Sequence, residues 1–166
     1  MKVYNFNKKG NKNMKNIWNQ IKNKKILNCN LELNNEFITY FDKKINEELK
    51  NKLINFVTWI EKVYGLQCPV YIDFEYKNYL YTKERKRVGY LFYWDDFKDY
   101  PNITGNDEIP IIVLPVKEDY WTFEEIIGSF VEALTDYYKW CLNIEMSSKY
   151  DEEVDIVIDE YFKTIE

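Results

Sequence analysis

Acidic side chains recur at four-residue steps in the last third of the chain. Glu132 and Asp136 lie in a stretch with helical apolar periodicity, and residues four apart share one face of a helix. A second helical stretch repeats the step at Asp151, Asp155 and Asp159. Carboxylates that converge between two packed helices suit hard cations such as Ca²⁺, Mg²⁺ or Mn²⁺. One interpretation is therefore a cation site whose candidate ligands are Glu132, Asp136, Asp151, Glu152 and Asp155.

Histidine is absent from all 166 residues. Its absence excludes Ser-His-Asp and Cys-His triads, imidazole general bases and zinc sites with histidine ligands. The three cysteines, Cys29, Cys68 and Cys141, are widely spaced and form no CxxC pair. They predict reduced, mostly buried thiols rather than a disulfide framework or a thiolate metal site. Acid–base chemistry in this chain would have to come from Asp, Glu, Tyr, Lys or Cys.

The stretch Glu132–Trp140 reads EALTDYYKW. It resembles the active helix of a family of small bacterial and phage zincin-like metallopeptidases, which reads HELTHYYQW or close to it. In this alignment Glu132 takes the place of the first histidine, Ala133 that of the catalytic glutamate and Asp136 that of the second histidine. The aromatic segment Gly89–Phe92 is also similar to the family.

The resemblance implies a minimal zincin-like domain, in which a long helix and a sheet precede the active helix and a ligand-bearing helix follows. The third metal ligand would lie within Asp151–Asp155. An HExxH site holds zinc with two neutral imidazoles, and its glutamate accepts a proton from the bound water. Glu132, Ala133 and Asp136 supply neither the imidazoles nor the base. We therefore expect a degenerate active site with no catalytic residue and no zinc cofactor.

Three helices are predicted from apolar periodicity. The first runs from about Lys43 to Tyr64 and ends at Gly65, and the second begins at Thr122, where Thr122 and Glu125 form a capping box. The third covers about Tyr150 to Phe162. Alternating apolar residues predict three strands, at Pro69–Tyr76, Val88–Trp94 and Ile109–Val116.

The predicted fold class is α+β, with the helices on one face of a three-stranded, mostly antiparallel sheet. The prolines of Ile109–Val116 indicate an edge strand or one with a distorted rim. The basic run Lys83–Arg87 is interpreted as a solvated hairpin tip, and one or two further short strands are expected between Ile26 and Tyr40.

Charge is distributed unevenly along the chain. Residues 1–25 carry a net charge of +8 and the remainder −13, which predicts a basic, partly flexible N-terminal arm at 1–25 and a single domain at 26–166. One alternative function is nucleic-acid binding by this arm, through phosphate contacts and stacking. Its candidate residues are Lys15, Trp18, Lys22, Lys24 and Lys25. The other interpretation of the arm is a solvated tail.

The leading functional interpretation is a catalytically degenerate, zincin-like binding or inhibitory module. Its acidic last helix would contact a basic protein partner, with candidate residues Asp151, Glu152, Glu153, Asp155, Asp159 and Glu160. Residues with A/T-rich codons dominate the composition, which suggests a phage or mobile-element product, and an anti-CRISPR-like inhibitor of a host defence nuclease is the specific hypothesis. The alternatives are a carboxylate-ligated metal protein, a residual hydrolase, or a solvated helix face without a function of its own.

No apolar run approaches 18 residues, and the N-terminus lacks the apolar region of a signal peptide. The sequence therefore predicts a cytoplasmic protein without a membrane partner.

Overall fold

The computed structural model describes residues 17–24, 37–65, 70–94, 110–142 and 152–166. They form, in chain order, α1 (Ile17–Lys24), β1 (Phe37–Phe41), α2 (Glu47–Val63), β2 (Val70–Glu75), β3 (Leu80–Tyr81), β4 (Arg87–Val88), β5 (Leu91–Tyr93), β6 (Ile111–Pro115), α3 (Phe123–Cys141) and α4 (Glu153–Thr164). The predicted α+β class is confirmed. The expectations for Cys29, Cys68 and Asp151, and for most of 26–40, lie outside the described residues.

The two long helices begin and end where their capping residues dictate. Helix α2 begins after Asn46, whose side chain accepts a hydrogen bond from the Leu49 N–H at 2.7 Å, and it ends before Gly65, which has a φ of +76°. Helix α3 begins with the predicted capping box, in which Thr122 Oγ1 accepts from the Glu125 N–H and Glu125 Oε1 accepts from the Thr122 N–H. The apolar faces of both helices are buried as predicted.

The main sheet differs from the prediction of three mostly antiparallel strands. It has four strands in the order β1-β2-β6-β5, with β1 and β6 parallel to β2 and only β5 antiparallel to its neighbour. The physical reason is the connection between β1 and β2. Because α2 carries the chain back along the sheet, the two strands run in the same direction.

Of the two alternatives for Ile109–Val116, an edge strand or one with a distorted rim, the edge strand is wrong, since β6 lies between β2 and β5. Its last proline, Pro115, is tolerated because the N–H groups of successive strand residues point to opposite neighbouring strands. The Val116 N–H donates to Glu75 O on β2 at 2.8 Å, so the nitrogen of Pro115 points to the other side. On that side the neighbouring strand is β5, which begins only at Leu91, opposite Val113. Pro115 lies beyond the end of β5, so its missing N–H costs no hydrogen bond between the strands.

The predicted strand Val88–Trp94 is divided between two sheets. Its first residue pairs with Leu80 in the β3–β4 hairpin, and residues 91–93 pair with β6. The hairpin places the basic turn Lys83–Arg87 at an exposed tip, as predicted.

The sheet separates two apolar clusters. The side chains of Ile72, Phe74, Ile112 and Leu114 face the helices, whereas Tyr71, Ile111 and Val113 pack with Leu80 of the hairpin. The helices therefore occupy one face, as predicted, and the hairpin covers part of the other. No described helix has the length and apolar character needed to cross a membrane.

The core extends into the segment that the sequence assigned to an arm. Ile17, Trp18 and Ile21 of α1 are buried in the cluster formed by the helical layer. Part of 1–25 therefore belongs to the folded domain predicted for 26–166.

Candidate functional site

Helix α3 carries the positions at which the sequence predicts a degenerate active site. Ala133 is 0% exposed and lies in the main core, whereas Glu132 and Asp136 are half-buried. The place that aligns with the family's catalytic glutamate is thus filled by a methyl group in an apolar environment. A carboxylate there would carry a large desolvation cost.

Asp136 is held by a residue from the edge of the sheet. The Tyr90 hydroxyl donates a hydrogen bond to Asp136 Oδ2 at 2.7 Å, and Tyr90 immediately precedes β5. Helix α3 and the segment before β5 also approach each other closely. A Cβ atom added at Gly89 would lie only 2.8 Å from Ser129 Oγ. The carboxylate of Asp136 therefore contributes to the contact between α3 and the β5 edge.

The neighbouring Thr135 is also engaged in the fold. Its buried hydroxyl accepts a hydrogen bond from Trp18 Nε1 at 2.9 Å and donates to Val131 O at 2.7 Å. The indole of Trp18 packs edge-on against the rings of Tyr64 and Tyr138, with centroids 4.9 Å away in both cases. The sequence suggested Trp18 as a residue on which bases stack, but its side chain is only 1% exposed and cannot stack on a base.

The other arm residues remain without a described interface. Lys15 and Lys25 lie outside the described residues. Lys22 and Lys24 fall within helix α1, and only their backbone is described.

The acidic residues of α4 have different environments. Glu153 is buried, and its Oε1 accepts a hydrogen bond from the Ile17 N–H at 3.1 Å, at the start of α1. Glu160 accepts from the Tyr64 hydroxyl at 2.8 Å, and Glu152 is half-buried. Only Asp155 and Asp159, among the described candidates for partner contact, are exposed.

The donor set does not fit the zinc that the resemblance implies. The chain has no histidine, and Ala133 offers no ligand atom. Within the part of the chain that the structure describes, no three acidic or cysteine side chains are grouped closely enough to hold a metal ion. Asp151, one of the candidate ligands, is outside that part, and the hard-cation interpretation stays a prediction.

A further carboxyl pair, which sequence reasoning missed, lies at the carboxyl end of β2. Asp73 and Glu75 leave the strand on the same face, two residues apart. Glu75 Oε1 forms an ion pair with Lys77 Nζ at 2.8 Å. Ligand sites of open parallel sheets form at this end of the strands.

The environment of Asp73 favours its neutral form. Burial, which is the largest cause, acts together with the hydrogen bond to Glu75 and the negative charge of Glu75 to raise the pKa of Asp73 from 3.8 to about 8. Asp42 adds to the effect and Lys77 opposes it. Asp73 therefore retains its proton at neutral pH. The alternation in PVYIDFEY predicted the strand, and the two-residue spacing of Asp73 and Glu75 was the signal that could have placed them on one face.

A cleft of about 660 Å³ opens beside this pair, between the hairpin and the sheet. Its charged lining includes Glu75, Lys77 and Lys117, and its aromatic lining Tyr79, Tyr81 and Tyr93. The volume lies in the range of small-molecule sites, about 300–1,000 Å³. This cleft is the second candidate site of the molecule, on the sheet face opposite the helices.

Comparisons with known proteins give no relative to set beside these sites. No family model matches the chain, and neither the curated proteins nor the solved structures provide a significant match.

Proposed function

We propose that the protein is a binding module on a zincin-like scaffold, and that it acts through contact with a protein partner instead of peptide hydrolysis. The observation that carries this proposal is that two residues at the motif positions, Ala133 and Asp136, take part in packing and hydrogen bonding within the fold. Ala133 is buried in the core, and Asp136 is held by the Tyr90 hydroxyl at 2.7 Å. The order of elements, a long helix and a sheet before α3 and one helix after it, also supports the scaffold.

The partner that we propose is a protein with a basic surface, such as a nucleic-acid-handling enzyme of a host defence system. Asp155 and Asp159 are exposed on α4, and Ile156, at 46% exposure, lies on the same helix. In protein interfaces an apolar side chain supplies the buried contact, and the charges around it orient the partner. The chain's net charge of −5 favours encounter with a cationic partner.

Affinity purification from host cells tests the partner proposal. The wild-type chain should retain a protein whose binding falls with salt and with the double charge reversal Asp155→Lys/Asp159→Lys. The matched control is Glu47→Lys/Glu48→Lys, which reverses two exposed acids on α2 and should leave binding unchanged. Binding that is insensitive to the α4 reversal, or equally sensitive to the control, would contradict an interface at this surface.

Restoring the imidazoles tests the resemblance itself. Ala133 is kept in place, because a buried glutamate there would destabilise the fold. The double variant Glu132→His/Asp136→His should gain a Zn²⁺-dependent rise in melting temperature, since a ligand bound only by the native state stabilises it. The single variant Glu132→His is the control and should respond less. A folded double variant that is indifferent to Zn²⁺ would show that these positions do not converge as in the family.

Peptidase activity is tested separately. Wild-type protein incubated with Zn²⁺ and an unfolded protein substrate should leave that substrate intact. Cleavage that a chelator abolishes would overturn the proposal of a non-catalytic module.

A further inference from the structure

The β3–β4 hairpin concentrates positive charge on a protein that is otherwise acidic. Residues 77–87 carry a net charge of +4, whereas the whole chain carries −5. Its turn holds four cations, Lys83, Arg85, Lys86 and Arg87, and all four side chains are exposed. This local charge is opposite in sign to the acidic surface of α4.

The turn has a defined backbone conformation. Thr82 N–H donates to Lys86 O at 2.9 Å, and the Arg85 N–H donates to Thr82 O at 2.8 Å. The Thr82 hydroxyl accepts from the Lys86 N–H at 3.1 Å. Arg85 adopts a φ of 65°, the left-handed conformation that non-glycine residues seldom occupy. The cations are therefore presented by an ordered turn.

Flat aromatic groups lie directly beside these cations. Tyr79 contacts the rings of Tyr81 and Tyr120, with centroids 5.3 and 6.1 Å away, and the Arg87 guanidinium lies 4.6 Å from the Tyr79 ring centroid. Tyr81 is 55% exposed and Tyr120 is 49% exposed. Both rings contact Tyr79, so the three tyrosines form one contiguous aromatic patch, and contiguous exposed apolar patches mark interaction sites.

We propose that this hairpin surface, residues 79–87 together with Tyr120, binds a short stretch of single-stranded nucleic acid. Bases stack on Tyr81 and Tyr120, and phosphates contact the cations of the turn. Aromatic rings that alternate with cations along a groove are the combination by which proteins bind single strands without sequence preference. The cleft of about 660 Å³ beside the rings provides room for an unstacked base.

The surrounding charge favours a single strand over the alternatives. A duplex presents two phosphate backbones and hides its base faces, so its second strand would approach the acidic body and gain no stacking. An acidic polypeptide would satisfy the cations but would leave the exposed tyrosine rings without a use. The proposed interface does not include Trp18, which lies in the core.

Fluorescence anisotropy with the full chain and a labelled 12-residue oligothymidine or oligouridine tests the proposal. Tyr81→Ala should weaken binding about fivefold or more, the loss of one stacked base, whereas Tyr81→Phe keeps the ring and should bind like wild type. Lys83→Ala/Lys86→Ala should weaken binding and reduce its salt dependence by about 0.7 per lost phosphate contact on logarithmic axes. A duplex of the same length should bind more weakly than the single strand.

Matched charge removal at the N-terminus distinguishes the two basic regions. Lys15→Ala/Lys25→Ala removes the same charge as the hairpin variant and should have the smaller effect. Tyr120→Ala replaces Tyr81→Ala if the latter fails to fold, as judged by its melting temperature. The proposal is overturned by any of three results: no saturable oligonucleotide binding at low salt, a loss that follows the N-terminal variant only, or equal competition by oligoglutamate, which would identify an acidic polypeptide as the occupant.

Discussion

Asp73 and Glu75 are separated by one residue on β2, so both carboxyl groups lie on the face of the sheet that the hairpin covers in part. Two adjacent carboxylates in a half-buried environment repel each other, and one of them keeps its proton. This arrangement places a titratable pair where the sheet meets the cleft. The fold therefore contains a group whose charge changes near physiological pH although the chain has no histidine.

Stability should depend on the protonation of Asp73. Its pKa is about 8 in the folded protein, against an ordinary value of 3.8, so the proton stabilises the fold fully below pH 4. That contribution declines above pH 4 and is lost as pH rises through 8. An asparagine side chain cannot ionise, so Asp73→Asn should lie close to wild type at pH 5 and be more stable at pH 9. Because the side chain is half-buried and screened by solvent, we expect a gain of about 1–2 kcal/mol.

Urea unfolding at the two pH values measures this gain. Asp119→Asn, at an exposed carboxyl outside the pair, is the control and should show no such difference. An Asp73→Asn effect that is the same at pH 5 and pH 9 would mean that Asp73 is ionised throughout.

At the scale of elements, the contact between α3 and the β5 edge depends on a small residue. A Cβ added at Gly89 would lie 2.8 Å from Ser129 Oγ, which is closer than carbon and oxygen atoms pack. Gly89→Ala should therefore lower the free energy of unfolding by about 1–3 kcal/mol through overpacking. Adding Ser129→Ala removes the opposing oxygen and should recover part of the loss. Urea denaturation of both single variants and the double variant measures this coupling, and strict additivity would contradict a direct clash.

Helix α1 depends on tertiary contacts, because eight residues are too few for a stable isolated helix. Glu153 of α4 supplies one such contact by accepting the Ile17 N–H at the helix N-terminus. Glu153→Ala should cost about 1–2 kcal/mol, the loss of a cap and of a favourable charge at the positive end of the helix. Asp159→Ala, an exposed acid of the same helix, is the control. Equal unfolding free energies for the two variants would argue against the cap.

The elements predicted correctly are those whose signal is local. Apolar periodicity identified α2 and α3, and the reciprocal pair Thr122 and Glu125 fixed the start of α3. The order of strands in the sheet could not be predicted from local signals, because contacts between residues far apart in the sequence decide which strands pair. The prolines around β6 indicated an edge strand or a distorted rim, although the nitrogen of Pro115 points beyond the end of β5 and permits a central position.

The candidate sites were only partly predictable for the same reason. The spacing of Glu132 and Asp136 correctly placed both on one helix, but Tyr90, the hydrogen-bond donor to Asp136, lies 46 residues away. The lysines near Trp18 suggested a nucleic-acid interface, yet the same tryptophan has an apolar body that the core buries. Nothing local in the sequence brings Tyr79 to Tyr120.

At the scale of the whole molecule, the sheet separates the acidic helix α4 from the basic hairpin. The helical side carries the exposed acids of α4, whereas the hairpin side carries the cations of residues 77–87. A protein with this distribution can contact a basic protein and an anionic strand at the same time without competition. The proposed function and the proposed nucleic-acid surface are therefore physically compatible and can be tested independently.

The extent of the folded unit can be tested by truncation. Removing residues 1–24 deletes the buried side chains of Ile17, Trp18 and Ile21 and exposes the rings of Tyr64 and Tyr138 that Trp18 covers. Loss of one large buried aromatic side chain costs about 3–5 kcal/mol, comparable with the total stability of a small domain, about 5–15 kcal/mol. The truncated chain should therefore be largely unfolded at 37 °C or melt far below wild type in circular dichroism.

A chain that starts at Met14 is the matched control, because it loses part of the basic N-terminal segment but keeps α1. It should melt close to the full-length protein. If both truncated chains melt together with wild type, α1 contributes nothing to stability and the domain begins after it. If both unfold, residues before Met14 are part of the structural unit as well. Only the separation of the two melting curves is consistent with a core that includes Trp18 through its contacts with Thr135 and the tyrosine rings.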